Sequence, residues 1–293
     1  MGREYAPPLR SSLGAKTLSL TTKLGLLRGK CAHLFPQTLF ATRIHLRNPP
    51  APLLFPPLGI GLIWSAKSAC TSSVLWYFAV AGLLKEALLY DPWPHKYRQK
   101  VLPDSPRYRA WLMNADPRKL AWVRVIRDPY KRAVSSFRHV LRNANNEGSL
   151  LRQELGLDAG QEDLSFDSFL SKLEAVDITA CDIHLRQQHH PLERSIRPTR
   201  IINADKEPLL NALLDFATPT QDVRLHLDAE ISRISSFHHA HRTLYDGDVA
   251  KTPFKMPFIS QDWPEYRNFL NASTCRKIER LYRADFAAYS DFL

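Results

Sequence analysis

Apolar runs and polar stretches follow one another along this chain in a strand-then-helix order. Gly59 to Ser65 (GIGLIWS) is a short apolar run with prolines upstream, which predicts a buried strand. A Ser/Thr-rich turn follows. Val74 to Leu89 is rich in alanine and leucine and long enough for a buried helix, ending before Asp91-Pro92-Trp93-Pro94, which is loop chemistry. Leu120 to Ile126 (LAWVRVI) predicts a second strand, and Asp128-Pro129 starts a helix through about Leu141, since proline is tolerated in a first helical turn. Asn143 to Asp163 is polar and reads as a mobile loop. Phe166 to Ala175 predicts a helix with Ser165 as its N-cap. Arg200 to Ala204 is a third strand, followed by a helix from Pro208 to Phe216, and His226 to Met256 reads as irregular. Thr274 to Tyr289 closes the chain as one amphipathic helix, with Ile278, Leu281, Tyr282, Phe286 and Tyr289 at three- and four-residue spacing. No internal repeat is visible. Strands alternating with helices predict an α/β fold with a central parallel sheet.

The 293 residues suffice for one large α/β domain. The net charge of +11 points to a polyanionic partner: nucleic acid, acidic polysaccharide, anionic membrane surface or phosphorylated cofactor. Charge is unevenly placed: from Met1 to Lys85 the only acid is Glu4, against ten Lys and Arg. Residues 1–50 are therefore read as a basic, poorly structured N-terminal extension, and residues 51–293 as the folded domain. The extension is a transit-like or membrane-skimming segment, or a loose arm on a soluble enzyme. Ala6 stands where a myristoylation signal needs Ser or Thr. No stretch approaches the roughly 18 uncharged apolar residues of a transmembrane helix. The four cysteines (Cys31, Cys70, Cys181, Cys275) are scattered without a CxxC pair, which excludes a disulfide framework or zinc ribbon and makes a reducing, cytoplasmic setting the simplest reading.

Two segments bear anion-binding chemistry. In Trp64 to Ser73 (WSAKSACTSS) a strand ends, small residues turn and a helix begins. The first backbone N–H groups of a helix lack intrahelical partners, so an anion can dock there, aided by Lys67 and by the hydroxyls of Ser68, Thr71, Ser72 and Ser73. The segment lacks GxxxxGK[ST], so it is not a Walker A loop. Taken alone, the segment is better explained as a serine-rich helix start with no ligand, which is common. The second segment is Arg127 to Phe137 (RDPYKRAVSSF). Arg127 sits where strand gives way to helix and can fork onto a phosphate that Ser135, eight positions on, also reaches. Asp128 and Arg132, four apart, can pair along the helix. In a parallel sheet ligands bind outside the carboxyl ends of the strands, and both segments fall at such ends.

WSAKSACTSS resembles the PKxGCTS-type 5′-phosphosulfate loop of the carbohydrate sulfotransferase family, and RDPYKRAVSSF resembles that family's RDPxxRxxSxF 3′-phosphate motif. Asp182 to Gln188 (DIHLRQQ) is similar to its DxHxxxQ stretch, and Ile278 to Tyr289 to its closing IxxLYxxDFxxY helix. Ala66 replaces the family's proline and Ala69 its glycine. The resemblance implies a P-loop-like three-layer fold, a central parallel sheet flanked by helices. It also implies transfer of a sulfuryl group from 3′-phosphoadenosine 5′-phosphosulfate (PAPS) to a hydroxyl of a saccharide or glycolipid, with no metal. On it, Lys67, Ser68, Ala69, Cys70, Thr71 and Ser72 hold the 5′ side, and Arg127 and Ser135 the 3′-phosphate. Lys67 stabilises charge on the bridging oxygen. The general base is His95, in the interval where relatives have theirs, or His184, which can alternatively contact the acceptor sugar, or else a glutamate or aspartate.

Other clusters have blander readings. His189-His190 and His238-His239-x-His241 lack the spacing of a metal site and read as solvated polar segments, though His238 to Arg242 could line a groove for an acidic acceptor. Cys70 has no hydrolase grammar around it and reads as a small loop filler. Trp93 to Trp111 reads equally as a sugar-binding aromatic stretch and as a surface loop with buried aromatics. Asp205-Lys206-Glu207 reads as charge at a helix start. A kinase would need a Walker A loop and metal-binding carboxylates. A nucleic-acid-binding protein should show a helix-turn-helix, RRM-like or zinc pattern. Neither set is found in the sequence. An inactive relative that still binds the nucleotide satisfies the same motifs.

Overall fold

A computed structural model describes residues 39–143, 150–158, 160–238, 241–243, 247–258, 260 and 262–293. Its four-stranded sheet has the order β1 (Leu53–Phe55), β2 (Ile60–Ile63), β3 (Ala121–Ile126) and β5 (Arg200–Asn203). β2, β3 and β5 are parallel, with Ile63 opposite Arg124 and Ile126 opposite Asn203. The edge strand β1, unforeseen among its prolines, runs antiparallel to β2, with Leu53 opposite Leu62. This is an α/β fold with a central, mostly parallel sheet flanked by helices. Parallel strands need crossovers, and all of these place the ends of β2 and β3 on one edge of the molecule.

Alternation along the strands assigns the two faces. Ile60, Leu62, Val123, Val125 and Ile202 pack into a core with helices α2 (Cys70–Val80), α3 (Leu84–Tyr90), α4 (Pro94–Lys100), α9 (Leu209–Phe216) and α10 (Gln221–His238). Ile63 and Trp122 point the other way, with Leu46, Leu54, Leu192 and Ile196. A second core surrounds Phe137 on α6 (Pro129–Asn143), whose ring lies 5.4–6.0 Å from those of Phe166, Phe169, Phe254, Trp263 and Phe269. It takes in α8 (Phe166–Leu173), capped by the Ser165 hydroxyl as expected, and α11 (Ala272–Leu281). The remaining elements are α1 (Leu39–His45), α5 (Pro106–Asn114), α7 (Leu150–Glu154), α12 (Arg283–Tyr289) and the short strands β4 (Asp163–Leu164), β6 (His241–Thr243), β7 (Phe254–Lys255) and β8 (Asp262–Pro264).

Several expectations need correction. The helix predicted over 74–89 breaks at Gly82, whose φ of +70° ends α2 in a left-handed turn with Leu83 N–H bonded to Phe78 O at 2.7 Å. Pro94 does not prolong a loop but opens α4, so His95 is helical. The stretch from His226, read as irregular, begins inside α10. Its Val223, Leu227, Ile231 and Ile234 repeat every three or four residues and face the core. The closing helix is two helices, α11 and α12, broken at the fully buried Tyr282, whose hydroxyl donates to Leu185 O at 3.0 Å. The polar 143–163 stretch contains α7 and begins β4. Ordered chain starts before residue 51: α1 buries Ala41, Thr42 and His45. Residues 1–38 of the expected extension lie outside the described residues.

Gly61 is the tightest point of the sheet. A Cβ there would lie 2.4–2.8 Å from the Trp122 ring, which is buried and anchored by its N–H to Pro117 O at 2.7 Å. Gly61→Ala should therefore cost about 2 kcal/mol through overpacking. Urea denaturation should show a lower midpoint at unchanged slope.

Candidate active site

The loop after β2 and the one after β3 open side by side. Arg127 Nη1 donates to Lys67 O at 3.4 Å, so the two predicted anion cradles are in contact. In the first loop, Lys67 and Ala69 both hold left-handed conformations, φ +67° and +53°. Ala69, the residue before α2, stands where a glycine would adopt this conformation without strain; for an L-residue it costs roughly 1–2 kcal/mol. The turn leaves α2 without a side-chain cap. The N–H groups of Cys70, Thr71 and Ser72 find no hydrogen-bond partner among the described residues, nor does the Ser72 hydroxyl. A helix start with three idle donors beside an ammonium group is a ready anion site.

Two of the serines predicted to face the ligand do not. Ser68 is buried and donates its hydroxyl proton to Gln188 Oε1 at 2.7 Å; Ser73 donates to Ala69 O at 3.0 Å. Thr71 Oγ1 lies 3.3 Å from His95 Nε2. Cys70 is the first residue of α2.

Lys67 is half-buried and has no ion pair among the described residues. Burial lowers its pKa to about 8; Cys70 opposes this, and repulsion from Arg127, then Arg138 and Arg142, adds to it. Arg138 and Arg142 lie on α6 together with Ser135 and His139, at the three- and four-residue spacing of one helix face. The Ser135 hydroxyl has no partner among the described residues. Asp128, instead of pairing with Arg132, caps α6 by accepting from Tyr130 and Lys131 N–H at 2.8 and 3.2 Å. Arg132 is buried and donates to Ala66 O at 3.1 Å and to Arg186 O. Asp205 caps no helix by charge alone: its carboxylate holds Arg127 at 3.4 Å and Lys131 at 3.3 Å.

Three histidines converge here. His184 Nδ1 lies 2.8 Å from Asp182 Oδ1. Burial pushes the Asp182 carboxyl up, but hydrogen bonds from the ring and main chain of His184 outweigh it and hold it below its ordinary value. An ionised carboxylate only accepts, so Nδ1 is the donor in this pair, and in the neutral ring Nε2 is the nitrogen with the lone pair. The His139 ring stacks on His184 at 3.8 Å. Burial first, then charge on His184 and Lys67, lowers its pKa to about 2. His95 is buried, with a pKa lowered to about 3 by burial, then by Arg98 and His184. Arg98 Nε, necessarily a donor, bonds to His95 Nδ1 at 3.2 Å, so the neutral ring has its proton on Nε2, facing Thr71. His95 is thus arranged to donate, and His184 to accept. His139 was overlooked in the sequence because it lies inside the second motif's helix; its four-residue spacing from Ser135 was the available signal.

The largest omission is Gln188, the last residue of the DxHxxxQ stretch. Its buried amide accepts from Ser68 Oγ and from Arg127 N–H (2.9 Å), and donates to Arg127 O (2.8 Å). His190, expected in a solvated segment, is buried instead: Nδ1 accepts from Leu192 N–H at 3.1 Å and Nε2 lies 3.0 Å from Asn48 O. The side chains of His238 to Arg242 lie outside what the structure describes. Among the described residues no group of three or more His, Cys, Asp or Glu is placed to hold a metal ion, and no helix is long and apolar enough to cross a membrane.

The model of the sulfotransferase family matches residues 91–290, about two thirds of the chain. The chain belongs to the sulfotransferase family, and its reaction class is transfer of a sulfuryl group. No curated protein and no solved structure shows significant similarity to it. The matched span includes Arg127, Ser135, His184 and Gln188 and starts beyond Lys67, so the first loop stands on its geometry.

The Lys67 pKa fixes a pH dependence. An anion at the α2 start favours the ammonium form, so binding takes up a proton wherever free Lys67 is neutral. Affinity for inorganic sulfate should be level below pH 8 as far as Lys67 is concerned, then fall by up to about tenfold per pH unit above it. Isothermal titration from pH 7.5 to 9.5 reads this, with Lys67→Met expected to remove the proton uptake.

Proposed function

We propose that this sulfotransferase uses PAPS as donor and delivers the sulfuryl group to a hydroxyl of a carbohydrate or glycolipid by in-line transfer. The supporting observation is the contact between an uncapped helix start bearing Lys67 and the Arg127 loop: two anion sites, one crevice. The residues fit such a donor. The idle N–H groups of Cys70, Thr71 and Ser72 with Lys67 suit a 5′-phosphosulfate, and Arg127 with Ser135 suits a 3′-phosphate. When bound, the donor supplies an activated sulfuryl group on a phosphate oxygen.

The chain's task is then positioning and charge stabilisation. His184 Nε2, oriented by Asp182, takes the proton from the attacking hydroxyl as its oxygen bonds to sulfur. Lys67 meets the charge left on the phosphate oxygen as the sulfur–oxygen bond breaks. His95 holds Thr71 from the far side of the loop. The acceptor's being a sugar rests on the motif resemblance. Arg138 and Arg142 beside Lys67 suit an acidic one. Peripheral contact of the basic N-terminal segment with a membrane, and a cytoplasmic location, complete the reading.

Adenosine 3′,5′-bisphosphate should bind more tightly than AMP, and Arg127→Ala or Ser135→Ala should erase the difference, lowering bisphosphate affinity about tenfold to a hundredfold by calorimetry. Equal affinity of the wild-type protein for the two nucleotides would remove the 3′-phosphate assignment. In radiolabelled sulfate transfer to a glycan panel, His184→Ala should lower kcat about 10²- to 10⁴-fold with the donor KM unchanged. A His95 variant showing that loss while His184→Ala does not would reverse their roles.

A further inference from the structure

We infer that Gln188 is the positioning residue that sets the spacing of the two anion loops, and that selectivity for a nucleotide with phosphates at both ends depends on it. The inference rests on the bisphosphate donor proposed above.

Gln188 is buried, and both ends of its amide are used. Oε1 accepts from Ser68 Oγ at 2.7 Å, in the loop after β2, and from Arg127 N–H at 2.9 Å, in the loop after β3. Nε2 donates to Arg127 O at 2.8 Å. One planar group thus joins a side chain of the first loop to both main-chain groups of the residue that begins the second. A carboxylate could not make the Nε2 bond, and asparagine is one methylene shorter, so glutamine is the residue this span calls for.

Its main chain is held as firmly. Gln188 N–H donates to Asp285 Oδ2 at 2.9 Å, on α12, and Gln188 O accepts from Arg124 Nη2 on β3. Gln188 is therefore pinned chiefly from α12 and β3, with a longer 3.5 Å bond from Ser65 Oγ of the first loop to its carbonyl, and each loop is referred to it. Two other contacts link this region, Arg127 Nη1 to Lys67 O at 3.4 Å, long and half-exposed, and Arg132 Nε on α6 to Ala66 O at 3.1 Å, and neither holds the main chain of Arg127.

A ligand that bridges two sites gains because the second contact is intramolecular, and the gain lasts only while the sites keep the ligand's own spacing. A mononucleotide uses one site and draws no such gain. Cutting the tie should leave each site's groups in place and loosen their spacing, so that the bisphosphate alone is penalised. A residue needed only for folding would weaken both nucleotides together.

Gln188→Met keeps length and apolar bulk and removes every amide hydrogen bond; Ser68→Ala cuts one of the three. Calorimetry on the full chain with adenosine 3′,5′-bisphosphate and with AMP, alongside thermal denaturation, reads the outcome. Gln188→Met should lose about tenfold to a hundredfold in bisphosphate affinity while AMP affinity stays within about threefold, and Ser68→Ala should fall between it and wild type. Should Gln188→Met fail to fold, the Ser68→Ala ratio decides. Equal losses for both nucleotides, or an unchanged ratio in both variants, overturn the role of Gln188 and leave the donor standing. A wild-type protein without preference for the bisphosphate overturns the donor reading, and this inference with it.

Discussion

A fully buried guanidinium at the carboxyl end of β3 constrains everything near the crevice. Removing an arginine from water costs several kcal/mol unless its charge and its hydrogen bonds are matched. Arg124 meets Glu193 at 3.3 Å, the Tyr289 hydroxyl at 2.9 Å, Ser65 Oγ at 2.9 Å and Gln188 O. Tyr289 in turn donates to Glu193. Those partners come from the loop after β2, the 188–193 segment and the last helix, so solvating one charge internally draws three distant pieces of chain to the end of the sheet. That end is where both anion loops open.

The cations of this region divide by task. Arg124 and Arg132 are spent on main-chain carbonyls and buried partners and serve the architecture. Arg127 is shared: its main chain is locked by Gln188, while its guanidinium lies against Asp205 and stays partly exposed. Lys67 has no ion pair among the described residues, in a surrounding that on balance disfavours its charge. A buried ammonium of this kind, held beside idle N–H donors, is one that an anion would stabilise without rearrangement. The histidines follow the same logic: Arg98 fixes one ring as a donor, Asp182 fixes another as an acceptor, and identical side chains take opposite roles from their neighbours.

Much of this was legible in the order of residues. The β-branched runs at 120–126 and 200–204, the Asp-Pro start of α6 and the Ser165 cap are local matters, governed by side-chain sterics and by which N–H groups a helix start leaves unpaired. So was the pairing of a basic, hydroxyl-rich turn with an Arg-to-Ser helix motif. The errors share a cause. The breaks at Gly82 and Tyr282, the placing of His95 on a helix and the inward stripe of α10 each depend on what a residue packs against, and periodicity alone does not tell a continuous helix from two that bend around a core.

The chain's order of residues therefore settled the three parallel strands, the starts of α6 and α8 and the chemical types available at the two candidate anion loops. Folding alone decided which hydroxyls face a ligand: Ser68 and Ser73 turn inward because buried carbonyl groups need their protons, while Ser72 and Ser135 stay unclaimed. It decided as well that Gln188, about sixty residues from Arg127 and twice that from Ser68, joins the two loops. Hydrogen-bond partners at such separation are selected because an unpaired buried polar group is costly, a condition on the assembled interior that no local pattern encodes.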